Sequence, residues 1–95
     1  MKVWNGFWQS SMQSGSFVFY LTTDFDNGMA HEEFSGHGND HCGNFTVRGT
    51  RDGNFVQFVK HYNGWDVHYR GTICGRTCQG SWSVPGDSGT FSMNC

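Results

Sequence analysis

The chain has 95 residues, a net charge of −2 and only six Lys and Arg, scattered along its length. That is one domain, residues 1–95, with a small core, and it lacks the basic stripe that nucleic acid or an anionic membrane surface requires. Aromatic residues make up 17% while Leu21, Ile73 and Ala30 are alone of their kinds, a balance that excludes long helices and favours strands. No apolar run approaches the ~20 residues of a membrane span. The start Met1-Lys2-Val3-Trp4-Asn5-Gly6 has no signal-peptide core, so a cytoplasmic, reducing setting is the expectation.

A first strand is predicted over about Val3 to Gln9, followed by a polar Ser/Gln loop. A second begins at Gly15-Ser16 and runs to an Asn27-Gly28 turn, which sets Leu21 opposite Phe34 and Thr23 opposite Glu32. The Asn39-Asp40-His41-Cys42 loop then sets Gly36 beside Phe45 and Phe34 beside Val47. A hairpin turn at Asp52-Gly53 pairs Val47 with Phe58, Phe45 with Lys60 and Gly49 with Val56; Asn63-Gly64 pairs Tyr62 with Trp65, Lys60 with Val67 and Phe58 with Tyr69. These two dipeptides are preferred type I′ turn pairs. Gly75-Arg76 pairs Tyr69 with Trp82, Gly71 with Gly80 and Ile73 with Cys78, and a turn within Pro85-Gly86-Asp87-Ser88 pairs Trp82 with Phe91 and Gly80 with Met93.

Paired residues share a face, and these registers agree on which face is apolar. One layer reads Leu21, Phe34, Val47, Phe58, Tyr69, Trp82 and Phe91. The fold class is therefore all-β: an antiparallel up-and-down meander of about eight short strands closing into a small barrel, with an open sandwich as the alternative. Gly36, Gly49, Gly71, Gly80 and Gly89 point inward, where a tight barrel needs bends and room for opposing rings. Gly6-Phe7-Trp8, the strand start Gly15-Ser16-Phe17-Val18, Gly43-Asn44-Phe45 and Gly80-Ser81-Trp82 resemble the calycin group of avidin-like and lipocalin-like barrels. That resemblance implies the fold. It does not carry biotin binding across, because Gln9, Gln13 and serines occupy the stretch where avidins place an Asn.

Lys60 is the sharpest anomaly, an ammonium on the inner face. A buried ammonium needs a partner or loses its proton more readily; alternatively Lys60 snorkels to water past Tyr62. Glu32 is the second inward charge, a rim carboxylate or an acid/base partner for Lys60. His37, Asp40, His41 and Cys42 crowd one loop and include good metal ligands, but not in paired Cys-x2-Cys spacing, so a polar loop is the expectation and no metal or other cofactor is assigned. Asp24-Phe25-Asp26-Asn27-Gly28 lacks the spacing of a calcium loop and reads as a turn. His61 and Asp66 form an exposed cross-strand pair. Cys74 and Cys78 fall on opposite faces, and the registers set Cys78 across from Cys95, the pair expected to bridge if any does. Outside, Val18, Tyr20, Phe55, Val59 and the first strand's Trp and Phe suggest a partner surface.

These features point to a non-enzymatic binding or assembly module acting through protein contact or self-association. The alternative is a carrier of a small, partly apolar ligand inside the barrel. Candidate ligand-binding residues are Trp8, Phe58, Lys60, Tyr62, Trp65, Tyr69, Trp82 and Glu32. A second alternative is an enzyme using Lys60 and Glu32.

Overall fold

The structure, a computed structural model, describes residues 2–23 and 31–95. The Asn27-Gly28 turn and the Asp24–Gly28 segment lie outside the described residues. Eight strands follow one another: β1 (Lys2–Gln9), β2 (Ser14–Thr23), β3 (His31–Asp40), β4 (Gly43–Asp52), β5 (Phe55–Tyr62), β6 (Trp65–Cys74), β7 (Thr77–Val84) and β8 (Asp87–Asn94). Each pairs antiparallel with its sequence neighbours, and β1 pairs with β8 to close the barrel. Closure joins β1 to β8, the two strands that an open sandwich would leave as sheet edges.

The inner face is as the alternation requires. Trp4, Phe17, Phe19, Leu21, Phe34, Phe45, Val47, Val56, Phe58, Tyr69, Phe91 and Met93 form one buried cluster. Its centre is a ring stack: Phe58 lies parallel to Tyr69 at 4.7 Å between centroids, with Phe91 edge-on to both. Such pairs are worth about 0.5–1.5 kcal/mol beyond their area.

Two of the predicted registers hold residue for residue: Phe58 faces Tyr69 and Lys60 faces Val67 across Asn63-Gly64, and Gly71 faces Gly80 across Gly75-Arg76. Three others slip by two residues, and the fourth, between β2 and β3, slips by two at Leu21 and by three at Thr23. Between β4 and β5 the turn is Gly53-Asn54, so Val47 faces Lys60 and Gly49 faces Phe58. Gly53 takes the positive φ of 60° and Asn54 does not, the sign pattern of a II′ turn with Gly first. Between β7 and β8 only Pro85-Gly86 lies in the turn, so Trp82 faces Gly89 and Cys78 faces Met93. Proline presets the first φ, and Gly86 supplies the second at 86°, which is what a type II turn needs. Between β3 and β4 the turn is His41-Cys42, and Gly36 faces Val47. Between β2 and β3, Leu21 faces Gly36, and a register shift then brings Thr23 opposite Ser35. Asn63 keeps a negative φ while Gly64 takes 92°, so this hairpin also departs from type I′.

A slip of two exchanges partners but leaves every side chain on its face, which is why the inside set survived wrong partners. Other local expectations change. Cys95 is exposed beyond β8 and Cys78 is buried opposite Met93; all four cysteines are free thiols, and no Cys78–Cys95 bridge forms. Burial pushes the Cys78 thiol up to about 11. On β1 both tryptophans turn inward or toward the barrel end, leaving Phe7 and Val3 outside. His61 and Asp66 do meet on the outer face, Nδ1 to Oδ1 at 2.8 Å, and His31 pairs with Asp52 at 2.7 Å. Exposed pairs of this kind contribute little.

Candidate functional site at the barrel mouth

The β1–β2, β3–β4, β5–β6 and β7–β8 turns gather at one end of the barrel, as an up-and-down order requires. They frame a cavity of about 190 Å³ walled by Trp8, Tyr62, Trp65, Tyr69 and Trp82, with Asp40, His41 and Cys42 on one side. The rings brace one another. Trp8 stacks on His41 at 5.5 Å and meets the edge of Trp82 at 5.8 Å, and Trp65 stacks on Tyr62 at 4.3 Å. The Trp82 indole N–H donates to the Gln9 carbonyl at 3.3 Å. Trp65, at the tip of the β5–β6 hairpin, is 46% exposed.

Asp40 organises the floor. Its Oδ1 accepts the Cys42 N–H at 2.9 Å, a side-chain turn that holds the hairpin in shape. Its Oδ2 accepts the Tyr62 hydroxyl and stands 3.6 Å from Lys60 Nζ, an ion pair slightly too long for a hydrogen bond. Both side chains are out of water, Lys60 at 0% and Asp40 at 2% exposed. Three rings surround the ammonium, with centroids at 3.7 Å (Phe17), 4.7 Å (Phe45) and 4.8 Å (Tyr69). Aromatic faces attract a desolvated cation by about 2 kcal/mol or more. Burial nonetheless pulls Lys60 down to about 8, with the Asp40 charge holding it up. Burial also raises the Tyr62 and Tyr69 hydroxyls, and the Asp40 carboxylate raises them further. The Cys42 thiol is raised by burial and by Asp40, against a smaller opposing effect of Lys60. Its Sγ lies 3.5 Å from His41 Nε2, but its surroundings work against a thiolate.

Several expectations are corrected here. Lys60 does not snorkel; it is sealed beneath the mouth by the rings above it, and its neighbour across β4 is Val47 rather than Phe45. Its carboxylate partner is Asp40 and not Glu32. Glu32 is buried at the far end of β3, opposite Arg51. It stands eight residues from Asp40, which is about 27 Å of extended strand. Glu32 and Lys60 therefore form no acid/base pair. Phe58 belongs to the core beneath the mouth and not to its wall. Of the His37, Asp40, His41 and Cys42 group, Asp40, His41 and Cys42 stay together at the mouth, with Asp40 pointing inward and His41 lying on Trp8, while His37 sits outside beside Tyr20. Among the described residues no three His, Cys, Asp or Glu side chains come together as a metal site. The expected wall of Trp8, Tyr62, Trp65, Tyr69 and Trp82 is brought together, and Asp40 is the member that sequence reasoning assigned elsewhere. Comparison with family models, curated proteins and solved structures finds no match to this chain.

Proposed function

We propose that the chain is a non-enzymatic recognition module that holds a protein partner at its barrel mouth, receiving one ring-sized side chain between Trp8, Trp65, Trp82 and Tyr62. The supporting observation is the size of the cavity. A dry cavity of about 150 Å³ accepts benzene, whereas drug-sized ligands occupy about 300–1,000 Å³. The mouth, at about 190 Å³, suits one aromatic group better than a whole carried ligand. Aromatic pockets of this kind are where protein interfaces concentrate their affinity. The Asp40–Lys60 pair lies out of water beneath it, and Cys42 is held in its thiol form, so the site offers shape and ring faces rather than a nucleophile. We also place the chain beside calycin-like barrels, on the number and order of its strands.

The test is an NMR titration of the tryptophan indole N–H signals with N-acetyl-tryptophanamide, indole and decanoate. The Trp8 and Trp65 signals are expected to move saturably with the first two, while that of buried Trp4 stays still. Trp65→Ala should weaken the effect at least ten-fold and change stability by no more than about 1 kcal/mol. Saturation by decanoate alone would favour the carrier instead, and unmoved indoles would remove the mouth from consideration.

A further inference from the structure

The barrel's exterior is divided by charge. The outward positions of β3–β6 carry Glu33, Arg48, Asp52, Asp66 and Arg70, together with four of the five histidines. The outward positions of β7, β8, β1 and β2 that are described carry no charge at all. These four strands are contiguous because β1 pairs with β8. Their charged residues, Lys2 and Asp87, stand at inward positions at opposite barrel ends. Most outward positions on this half are Ser, Thr, Asn or Gln. The register sets them in rows: Ser16, Phe7, Ser92 and Gln79 lie side by side across the four strands, with Asn5 and Gln9 flanking Phe7 along β1. Phe7, in the middle of this field, is 69% exposed.

We infer that this uncharged half-cylinder is a docking face for a neutral glycan chain, with Phe7 as its stacking platform. Hydroxyl and amide side chains both donate and accept hydrogen bonds, which matches the hydroxyls of an uncharged sugar. Charged side chains would have to be desolvated against a partner with no opposite charge, and none occurs on this face. A ring with an apolar surface at the centre complements the C–H face of a sugar ring. Val3, Val18 and Tyr20 also point outward on β1 and β2, but the field as a whole suits a second copy poorly: protein interfaces are depleted in Ser at their core, and homodimer patches are about 65% apolar. The face is distinct from the mouth, so the two proposals stand or fall separately.

The test is native affinity electrophoresis of the full chain through gels carrying a mixed-linkage β-glucan, a galactomannan, a dextran or glycol chitin, with sulfated dextran as the charged comparison. At least one neutral polymer is expected to retard the protein. Phe7→Ala and Ser92→Lys should each weaken that retardation ten-fold or more. Arg70→Gln on the charged half and Trp65→Ala at the mouth should leave it unchanged. Circular dichroism of each variant establishes that the barrel is intact. Retardation by none of the four neutral polymers, or by sulfated dextran alone, overturns the proposal. So does a dimer in size-exclusion chromatography that Ser92→Lys splits, since a second copy would then cover the face.

Discussion

Asp40→Asn is expected to destabilise the barrel by about 3 kcal/mol at pH 7, and roughly 1 kcal/mol of that loss, the part carried by the Lys60 proton, should disappear by pH 10. The size follows from removing one partner of a buried pair, which leaves the other charge uncompensated. It sits at the low end of that range because Lys60 can escape by releasing its proton. The pH dependence follows from Lys60, held at about 8 in the folded chain against 10.5 ordinarily. Between those values the unfolded chain binds a proton that the folded chain has released. Stability linked to Lys60 therefore rises with pH through this window, by roughly 3 kcal/mol in all. Without the Asp40 carboxylate the lysine falls further, so the variant carries a larger penalty at pH 7. That part of the penalty vanishes as the pH approaches 10.5, and what then remains between the two proteins is the loss of the carboxylate's other contacts, the Tyr62 and Cys42 hydrogen bonds among them. Cys78, held up at about 11 by burial, works in the opposite sense above pH 9, as do the raised tyrosines at higher pH. Cys78 acts on both proteins alike, whereas the share of the Cys42, Tyr62 and Tyr69 shifts that Asp40 supplies is lost in the variant, so the same pair of proteins in a Lys60→Met background supplies the baseline that isolates Lys60. Urea unfolding at pH 7 and pH 9.5 measures it. An equal penalty at the two pH values would mean that the Tyr62 and Cys42 hydrogen bonds, and not the ion pair, give Asp40 its weight. Replacing both partners, Lys60→Met with Asp40→Leu, should come within about 1–2 kcal/mol of the wild type, because a packed apolar pair avoids desolvating either charge.

Parity and partner are separate quantities in a sheet, and the sequence determines them with different force. Phe58, Val67, Tyr69 and Trp82 have no acceptable place but the inside, so each strand's face was legible from alternation alone. Partners depend on which two residues make the turn. At Asp52-Gly53-Asn54 three residues compete for two places, and the winner is set by where glycine's positive φ falls. The same logic located most of the mouth: Trp8, Tyr62, Trp65 and Trp82 stand at strand ends that a meander must bring together. Asp40 was missed for an identifiable reason. Phe34 and Gly36 already fixed the inward parity of its strand, and two further steps of two reach Gly38 and Asp40. Assigning Asp40 to a loop stopped that count short, and Lys60 was left to seek its counter-charge in Glu32, at the wrong end of the barrel. The volume of the cavity was not legible, since it depends on how the rings tilt against one another.

Gly80→Ala should destabilise the barrel by about 3–4 kcal/mol, a large share of the 5–15 kcal/mol that a domain of ordinary stability possesses. Gly80 lies directly opposite Gly71 on the inner face. A Cβ there would stand 2.5 Å from Gly71 Cα, 2.9 Å from the Arg70 carbonyl carbon and closer still to its oxygen. These are backbone atoms of the adjoining strand, and no side chain can turn aside to make room. The reciprocal position is nearly as tight: a Cβ on Gly71 would meet the Gln79 carbonyl carbon at 2.9 Å and the Phe91 ring at 3.0 Å. The paired glycines thus permit β6 and β7 to bend together around the ring stack, and a methyl group forces them apart. Overpacking ordinarily costs about 1–3 kcal/mol; a displaced strand pair in a closed barrel exceeds it because the shift propagates around the ring of strands. Gly75→Ala is the comparison. Gly75 has open space around it and a φ of 61°, so alanine there meets only the left-handed backbone penalty of about 1–2 kcal/mol. Urea unfolding of the two variants separates the effects. Should Gly80→Ala prove no worse than Gly75→Ala, the β6–β7 seam has slack, and the inward glycines are there for turn-like backbone freedom instead of closeness.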